Sequence, residues 1–175
     1  MSPILLFFSL LIVLEDGFPI LFKQPRTGWD DREFNIYKLR SLYNDKFDDP
    51  TTQVKTGDKR VTFVGKIIRR LSIDELPQFF NVLKGDMSIV GPRPHPIEQS
   101  AFYSKQVKNF FQRHKSSPGI TGWAQVNGIR GPTPNAESMQ RRVDYDLWYL
   151  KNWSTWLDLI IIVKTIFVVF RQKVD

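Results

Sequence analysis

The chain has 175 residues, about the length of one domain, which is enough to bury a hydrophobic core without disulfide bridges. It contains no cysteine, which excludes disulfides, thiol catalysis and cysteine-ligated zinc. Its formal net charge of +7 predicts an anionic partner, for which nucleic acid, a phosphorylated small molecule and an acidic membrane surface are all candidates.

The chain begins with an apolar segment. Residues 3–14 are uncharged and almost wholly apolar, but a helix that spans a bilayer needs roughly 20 residues. The segment also differs from a signal peptide, because it lacks a basic start and a small-residue cleavage site before Glu15. Two interpretations stand: a buried core helix or strand, and a segment that dips into a membrane. In either case Pro3 is expected to disturb a helix that runs through it.

Two short β-like runs follow, at residues 20–23 and 33–39, and the polar stretch 24–32 between them contains glycine. This pattern predicts a hairpin with a wide loop. Residues 44–60 are polar and rich in aspartate, which predicts an ordered surface loop or a lid.

The middle of the chain is predicted to be mainly helical. Helices are expected at residues 64–71, 74–83 and 97–113, and a loop rich in glycine and proline follows them. The sequence shows no internal repeat and no linker between two domains. We therefore expect a mixed α+β fold, mostly helical, in which a small β-hairpin accompanies the helices.

The C-terminal part combines aromatic residues with an apolar run. Residues 157–170 are apolar except for Asp158, Lys164 and Thr165. Four aromatic side chains precede the run: Trp148, Tyr149, Trp153 and Trp156. Such a belt is typical of a membrane interface, and the two charges argue against spanning. The alternatives are a helix lying in the interface plane and an ordinary amphipathic core helix.

An adjacent acid pair, Asp74 and Glu75, lies just after Arg69. Acids and cations at a helix start can form a site where phosphate and a metal ion meet. A structural interpretation competes with this one, because Ser72 and Glu75 also fit a capping box. Pro77 would then lie past the first turn of the helix, so Asp74 is the alternative N-cap.

Other chemistries are not supported by the motifs. His95 and His114 are the only histidines, and their spacing does not fit a zinc site. Glycine-rich nucleotide loops and a G-x-S-x-G nucleophile turn do not occur in the sequence.

A series of motifs resembles one family along nearly the whole chain. In chain order the motifs are Gln24, Arg26 and Gly28; Lys38, Arg40 and Ser41; D-E-L-P-Q at 74–78; N-V-L-K-G-D-M-S-I-V-G-P-R-P at 81–94; P-G-I-T-G-W-A-Q-V-N-G at 118–128; and Glu137, Arg142, Asp146, Tyr149, Asn152, Trp153 and Asp158. The chain thus resembles the bacterial sugar transferases, polyprenyl-phosphate phosphoglycosyl transferases that enter the membrane from one side without crossing it.

The resemblance implies transfer of a sugar 1-phosphate from a UDP-sugar to polyprenyl phosphate, usually undecaprenyl phosphate, with release of UMP. It implies that Asp74 is the nucleophile and carries a covalent sugar phosphate. Glu75 would either help to hold Mg²⁺ with Asp74 or accept a proton. Arg69 and Arg93 would bind phosphate oxygens, and the prolines on either side would aim Arg93. The further substrate-binding candidates are Gln24, Arg26, Lys38, Arg40, Pro92 and Pro94.

The resemblance also implies a place in the cell. We expect the cytoplasmic face of a bacterial inner membrane, membrane lipids as partners, and no nucleic acid. The branch that starts exopolysaccharide, capsule or O-antigen repeats transfers a hexose phosphate, so glucose or galactose is expected. The oligomeric state stays open, a homo-oligomer included.

A competing hypothesis is a non-catalytic basic module that binds membranes or nucleic acid.

One departure from the family concerns the start of the chain. Family members usually have residues before a Ser-Pro step at which a re-entrant membrane helix bends, whereas Met1 directly precedes Ser2 and Pro3 here. We therefore expect a truncated re-entrant segment at residues 1–15. The catalytic domain is expected at 16–156, with an interfacial C-terminal helix of the same domain at 157–175.

Overall fold

The computed structural model describes residues 3–44, 54 and 57–171. The helices are α1 (Pro3–Asp16), α2 (Phe63–Arg70), α3 (Gln78–Lys84), α4 (Ile97–Tyr103), α5 (Trp123–Val126), α6 (Ala136–Lys151) and α7 (Thr155–Arg171). The strands are β1 (Leu21–Thr27), β2 (Glu33–Leu39), β3 (Ser88–Val90) and β4 (Gly119–Thr121). Three 3₁₀ turns lie at Trp29–Asp31, Ile73–Glu75 and Phe110–Lys115. The prediction of a mostly helical α+β fold is confirmed.

Helix α1 is buried along one side only. Leu5 and Ile12 pack with Leu39, Val64 and Ile68 in a core shared with β2 and α2. The side chains that α1 leaves largely exposed are Ile4, Leu6, Phe7, Leu10 and Leu14. Pro3 is the first described residue of the helix, a position at which its missing N–H leaves no intrahelical bond unmade. Among the described helices, none combines the length and apolar character needed to cross a bilayer. The re-entrant shape stays a prediction.

The C-terminal end of α1 is tied to the rest of the fold by two carboxylates. Glu15 accepts the backbone N–H groups of Phe63 (2.6 Å) and Val64 (2.9 Å) at the start of α2. These donors have no partner within their own helix, and the carboxylate also interacts favourably with the helix dipole. Asp16 pairs with Arg40 at 2.7 Å, and Arg40 donates to the carbonyls of Asp16 and Gly17 as well.

Strands β1 and β2 form the predicted antiparallel hairpin, with Leu21 opposite Leu39 and Thr27 opposite Glu33. Strand β1 runs four residues beyond the predicted end at Lys23, so the wide loop predicted at 24–32 is wrong. The connection is a tight turn in which Asp30 and Asp31 have positive φ angles. Most of the loop or lid predicted at 44–60 lies outside the described residues.

Two of the predicted helices are interrupted. Residues 74–83 form a 3₁₀ turn and then α3, because Pro77 cannot donate the backbone hydrogen bond that one continuous helix requires. Residues 97–113 form α4 and a 3₁₀ turn, separated by Asn109 in the left-handed conformation. The helices predicted at 64–71 and 157–170 are present as α2 and α7.

The parallel pair of β3 and β4 has no counterpart among the predictions. The two strands are too short to show a hydrophobic pattern in the sequence. They continue into a very close approach between Gly91 and Gly119, where a Cβ on Gly119 would lie 2.1 Å from the Gly91 nitrogen. Glycine is therefore required at this contact.

Removal of the carboxylate that caps α2 should destabilise the fold. We expect Glu15→Ala to lower the free energy of unfolding by about 1 kcal/mol, because two N–H groups at the start of α2 lose their acceptor. Urea unfolding in detergent, followed by circular dichroism, measures the change.

Glu137→Ala is the matched control for the Glu15 variant. Glu137 is an exposed acid in the first turn of α6, with no hydrogen bond to its carboxylate within the described part of the chain. Equal losses in the two variants would mean that general charge near a helix start, rather than the capping bonds, accounts for the effect.

Candidate active site

The acid pair is held in a sharp bend between α2 and α3. Ser72 precedes the 3₁₀ turn with φ of 54°, and its side chain makes no capping bond; its hydroxyl accepts a hydrogen bond from Arg130 at 2.9 Å instead. The N-cap position of α3 is Pro77. Both capping predictions are therefore wrong, and neither Asp74 nor Glu75 serves as a helix cap. Both side chains are buried, each residue with 8% of its surface exposed.

Glu75 is surrounded by cations. Its Oε1 accepts a hydrogen bond from Lys38 Nζ at 2.7 Å, and both terminal nitrogens of Arg93 donate to its carboxylate. Arg130 lies 3.9 Å away. Burial alone would raise the pKa of Glu75, but Arg93, Lys38 and Arg130 outweigh burial and hold the pKa well below its usual range. Glu75 is therefore ionised throughout the neutral pH range.

Asp74 is in a different state from its neighbour. Within residues 3–44 and 57–171, its carboxylate makes no hydrogen bond. Burial and the negative charge of Glu75 raise the pKa of Asp74 to about 6, although Lys38, Arg69 and Arg93 act in the opposite direction. The two adjacent acids thus differ: the Glu75 carboxylate is paired with cations and has a lowered pKa, whereas the Asp74 carboxylate has no hydrogen bond within the described residues and a raised pKa.

The carboxylates at this site suit Mg²⁺ shared with a substrate better than they suit a metal ion held by protein ligands alone. The described residues contain no cluster of three or more aspartate, glutamate, histidine or cysteine side chains that could hold an ion alone. Mg²⁺ is commonly held by one or two carboxylates together with substrate phosphates and water. Asp74, with unengaged oxygens beside a second carboxylate, fits that requirement.

Arg93 reaches Glu75 from the loop that joins β3 to α4. The peptide bonds before Pro92 and Pro94 are trans; the cis bond among the described residues is Phe18–Pro19. Lys38 reaches the same carboxylate from β2. The structure therefore brings the hairpin and the proline loop together at the acid pair.

The remaining predicted residues occupy three different places. Arg69 donates to the Ser41 hydroxyl at 3.2 Å and is near enough to lower the pKa of Asp74. Arg26 donates to the Gln24 side chain at 2.6 Å and to the Pro94 carbonyl of the proline loop at 3.2 Å. Arg40 is bound to the end of α1, so within the described structure it does not join the cluster around the acid pair.

Arg130 belongs to the cluster but was missed in the sequence analysis. Arg130 lies two residues after the end of the P-G-I-T-G-W-A-Q-V-N-G motif. That closeness to a motif was the signal in the sequence that could have identified it. Arg113, which forms a fully buried ion pair with Asp146 and donates to the proline loop, was missed as well, whereas Asp146 was named as a motif residue without a role. Nothing in the local sequence distinguishes Arg113 from the chain's other basic residues.

The comparison with known proteins places this geometry in a family. The family model described as "Bacterial sugar transferase" matches residues 1–172. The UDP-glucose:undecaprenyl-phosphate glucose-1-phosphate transferase of Escherichia coli K12 is 45% identical over 98% of this chain and 37% of its own length. The UDP-N-acetylgalactosamine-undecaprenyl-phosphate N-acetylgalactosaminephosphotransferase of Aeromonas hydrophila is 46% identical over 94% of this chain and 38% of its own length.

A shorter relative matches over most of its own length. The exopolysaccharide production protein PSS of Rhizobium leguminosarum is 43% identical over 95% of this chain and 85% of its own length. In the E. coli protein, by contrast, the chain spans little more than a third of the length. Because the family model covers almost every residue, including the acid pair and the proline loop, the chain belongs to the bacterial sugar transferase family.

Proposed function

We propose that this protein transfers a sugar 1-phosphate from a UDP-sugar to polyprenyl phosphate, with undecaprenyl phosphate as the acceptor, and releases UMP. The observation that carries the proposal is the difference between the two acids, with Glu75 neutralised by cations and Asp74 free to react. The names of the E. coli and A. hydrophila relatives support the same reaction class.

The proposed reaction has two displacements at phosphorus. In the first, an Asp74 carboxylate oxygen attacks the phosphorus next to the sugar, a new P–O bond forms, and the bond to UMP breaks. In the second, an oxygen of polyprenyl phosphate attacks the same phosphorus, which releases Asp74 and forms a polyprenyl diphosphate sugar. A covalent intermediate divides one difficult displacement into two easier ones.

The cations around the acid pair would stabilise the charge that develops on phosphate oxygens. Arg93 and Arg130 lie against Glu75, and Arg69 lies on the side of Asp74. Their positions are set before the substrate arrives, which is how fixed charges stabilise a phosphoryl-transfer transition state. We propose that Asp74 and Glu75 would hold Mg²⁺, which would supply positive charge to offset that of the donor's diphosphate.

We further propose that the protein works at the cytoplasmic face of a bacterial inner membrane, in the first membrane step of polysaccharide synthesis. Support comes from the many large apolar side chains that α1, α3 and α7 leave exposed. They include Leu6, Phe7 and Leu10 on α1, Phe79, Phe80 and Leu83 on α3, and Trp156, Leu159, Val163 and Phe167 on α7. Exposed apolar surface of this extent is typical of a protein that contacts lipid or another protein.

The donor sugar is proposed to be a hexose, glucose or galactose. The name of the E. coli relative specifies glucose, whereas that of the A. hydrophila relative specifies N-acetylgalactosamine. UDP-glucose and UDP-galactose are therefore the first donors to test, with UDP-N-acetylgalactosamine as a comparison.

Replacement of the proposed nucleophile should stop the reaction. We expect Asp74→Asn to lower UMP release by at least about 1,000-fold, because the amide cannot form the covalent intermediate. UMP is measured in nanodiscs with Mg²⁺, a panel of UDP-sugars and undecaprenyl phosphate. Without the acceptor, intact-mass spectrometry should detect a sugar-phosphate adduct on the wild type and none on the variant.

The control for this prediction is Asp144→Asn, the same chemical change at an exposed position of α6. It should retain wild-type turnover. Full turnover by a folded Asp74→Asn variant would refute the proposed role of Asp74. Salt-sensitive nucleic-acid binding, together with no UMP from the wild type, would favour the basic-module hypothesis instead.

The same substitution should stabilise the metal-free fold in a pH-dependent way. The pKa of Asp74 is raised from 3.8 to about 6 in the folded chain, so ionisation of Asp74 destabilises the folded state as the pH rises through 6. Asparagine resembles the protonated acid. Asp74→Asn should therefore be more stable than the wild type by up to about 3 kcal/mol at pH 8, and the difference should vanish near pH 4.

Urea unfolding at pH 4, 6 and 8 in detergent with EDTA measures this stability difference. Asp144→Asn serves again as the control and should show little change with pH. A stability difference between Asp74→Asn and the wild type that stays constant from pH 4 to pH 8 would contradict the raised pKa.

The exposed side of α1 should contribute to membrane binding. We expect Phe7→Glu with Leu10→Glu to lower binding to phosphatidylethanolamine–phosphatidylglycerol vesicles by at least about tenfold, because two buried apolar contacts with lipid are lost. Vesicle flotation measures the bound fraction. Phe102→Glu, at an exposed position of α4, is the control. An equal loss in the control would mean that added negative charge alone weakens binding.

A further inference from the structure

The proline loop is held through its carbonyl groups. Pro92 and Pro94 have no N–H, so the loop depends on donors from elsewhere to fix its backbone. The three donors are Gly119 N–H to the Pro92 carbonyl (2.9 Å), Arg113 Nη2 to the Arg93 carbonyl (2.7 Å) and Arg26 Nη1 to the Pro94 carbonyl (3.2 Å). Of these, the bond from Arg113 is made to the residue whose own side chain reaches Glu75.

Arg113 is itself rigidly held. Its Nε donates to Asp146 Oδ2 on α6 at 3.0 Å, and its Nη2 lies 2.7 Å from the same oxygen in an ion pair. Arg113 is 1% exposed and Asp146 is 2% exposed. The planar guanidinium allows one side chain to bind the carboxylate and the Arg93 carbonyl in a fixed geometry, which a lysine ammonium cannot reproduce.

Stability alone is a weak reason for such a pair. Replacement of a buried ion pair by apolar residues of similar volume is often neutral or even stabilising, because both charges lose their hydration when they are buried. The hydrogen bond to the Arg93 carbonyl points to a second role, since it connects α6 to Glu75 through two residues, Arg113 and Arg93.

We propose that Arg113, oriented by Asp146, is a positioning residue that fixes Arg93 beside Glu75 for the phosphoryl transfer proposed above. Within the described residues, no hydrogen bond joins Arg113 to Asp74 or Glu75. Its influence on the reaction therefore passes through Arg93. A displacement of about 1 Å at such a group can lower a rate by about 100-fold.

The test removes both charges of the pair together. Arg113→Met with Asp146→Leu eliminates the bond to the Arg93 carbonyl and leaves neither member of this ion pair behind. We expect a folded protein whose kcat/KM for the UDP-sugar falls by about 10- to 100-fold. In the Arg93→Ala background the same two substitutions should cause no further loss, because the residue through which they act is already gone.

The control is Arg141→Met with Asp144→Leu, which makes the same chemical changes at two exposed positions of α6 and should leave kcat/KM unchanged. Wild-type kcat/KM in the Arg113/Asp146 double variant would overturn the proposal. So would losses that multiply with that of Arg93→Ala. If the double variant does not fold, Arg113→Lys, which keeps the buried charge, replaces it in the same comparison.

A second measurement does not depend on activity. Phenylglyoxal modifies accessible arginines, and peptide mass spectrometry reports the rate at Arg93. That rate should rise severalfold in the Arg113/Asp146 variant and stay unchanged in the Arg141/Asp144 control. An unchanged rate at Arg93 in the former would overturn the positioning role. A wild type that released no UMP but showed the expected labelling would contradict only the proposed function.

Discussion

The carboxylate of Glu75 is the point at which the separate parts of this fold meet. Lys38 reaches it from the hairpin and Arg93 from the proline loop, while Arg130 lies close by in the segment that precedes α6. In the described part of the chain the sheets are β1 with β2 and β3 with β4. The hairpin, the proline loop and the segment before α6 therefore do not belong to one common sheet. The hairpin and the proline loop are therefore joined at Glu75 by buried ion pairs and hydrogen bonds, whereas in a fold with a larger sheet strand pairing would join such elements.

The same cluster explains how two neighbouring acids acquire opposite properties. Cations that bind Glu75 keep it ionised, and that fixed negative charge, added to burial, raises the pKa of Asp74. A lone buried aspartate would need a different device to become more basic. Here the difference arises because the 3₁₀ turn puts adjacent residues into unequal surroundings, one facing the cations and the other free of hydrogen bonds within the described chain. An adjacent pair of acids thus divides into one member paired with cations and one with a raised pKa.

Sequence reasoning reached the acid pair from two adjacent carboxylates just after Arg69, and reached Lys38 and Arg93 through motifs that resemble those of the family. It placed α2 and α7 correctly, since their apolar patterns are strong and local. It failed where a single residue interrupts a helical pattern. At Pro77 the helix predicted for residues 74–83 is divided into a 3₁₀ turn and α3. Contacts between distant segments were equally hidden: Arg40 belongs to the end of α1, and Arg113 pairs with Asp146 across 33 positions. Such pairings depend on tertiary packing that no local spacing encodes.

Helix α7 shows how charged residues within an apolar run can be bound by neighbouring side chains of the protein. Asp158 accepts hydrogen bonds from the Tyr149 hydroxyl (2.7 Å) and Trp153 Nε1 (3.2 Å). Burial and the nearby Asp158 carboxylate raise the pKa of that tyrosine, so it remains a donor.

Lys164 lies 4.8 Å from the ring centroid of Trp123, which is stacked on Trp148, and the Thr165 hydroxyl bonds to Thr121 on β4. The polar residues of the run therefore face α5, α6 and β4, while Leu159, Val163 and Phe167 are exposed. The charges that argue against spanning are the same ones that orient the helix: they anchor one side of α7 to the protein and leave the apolar side outward.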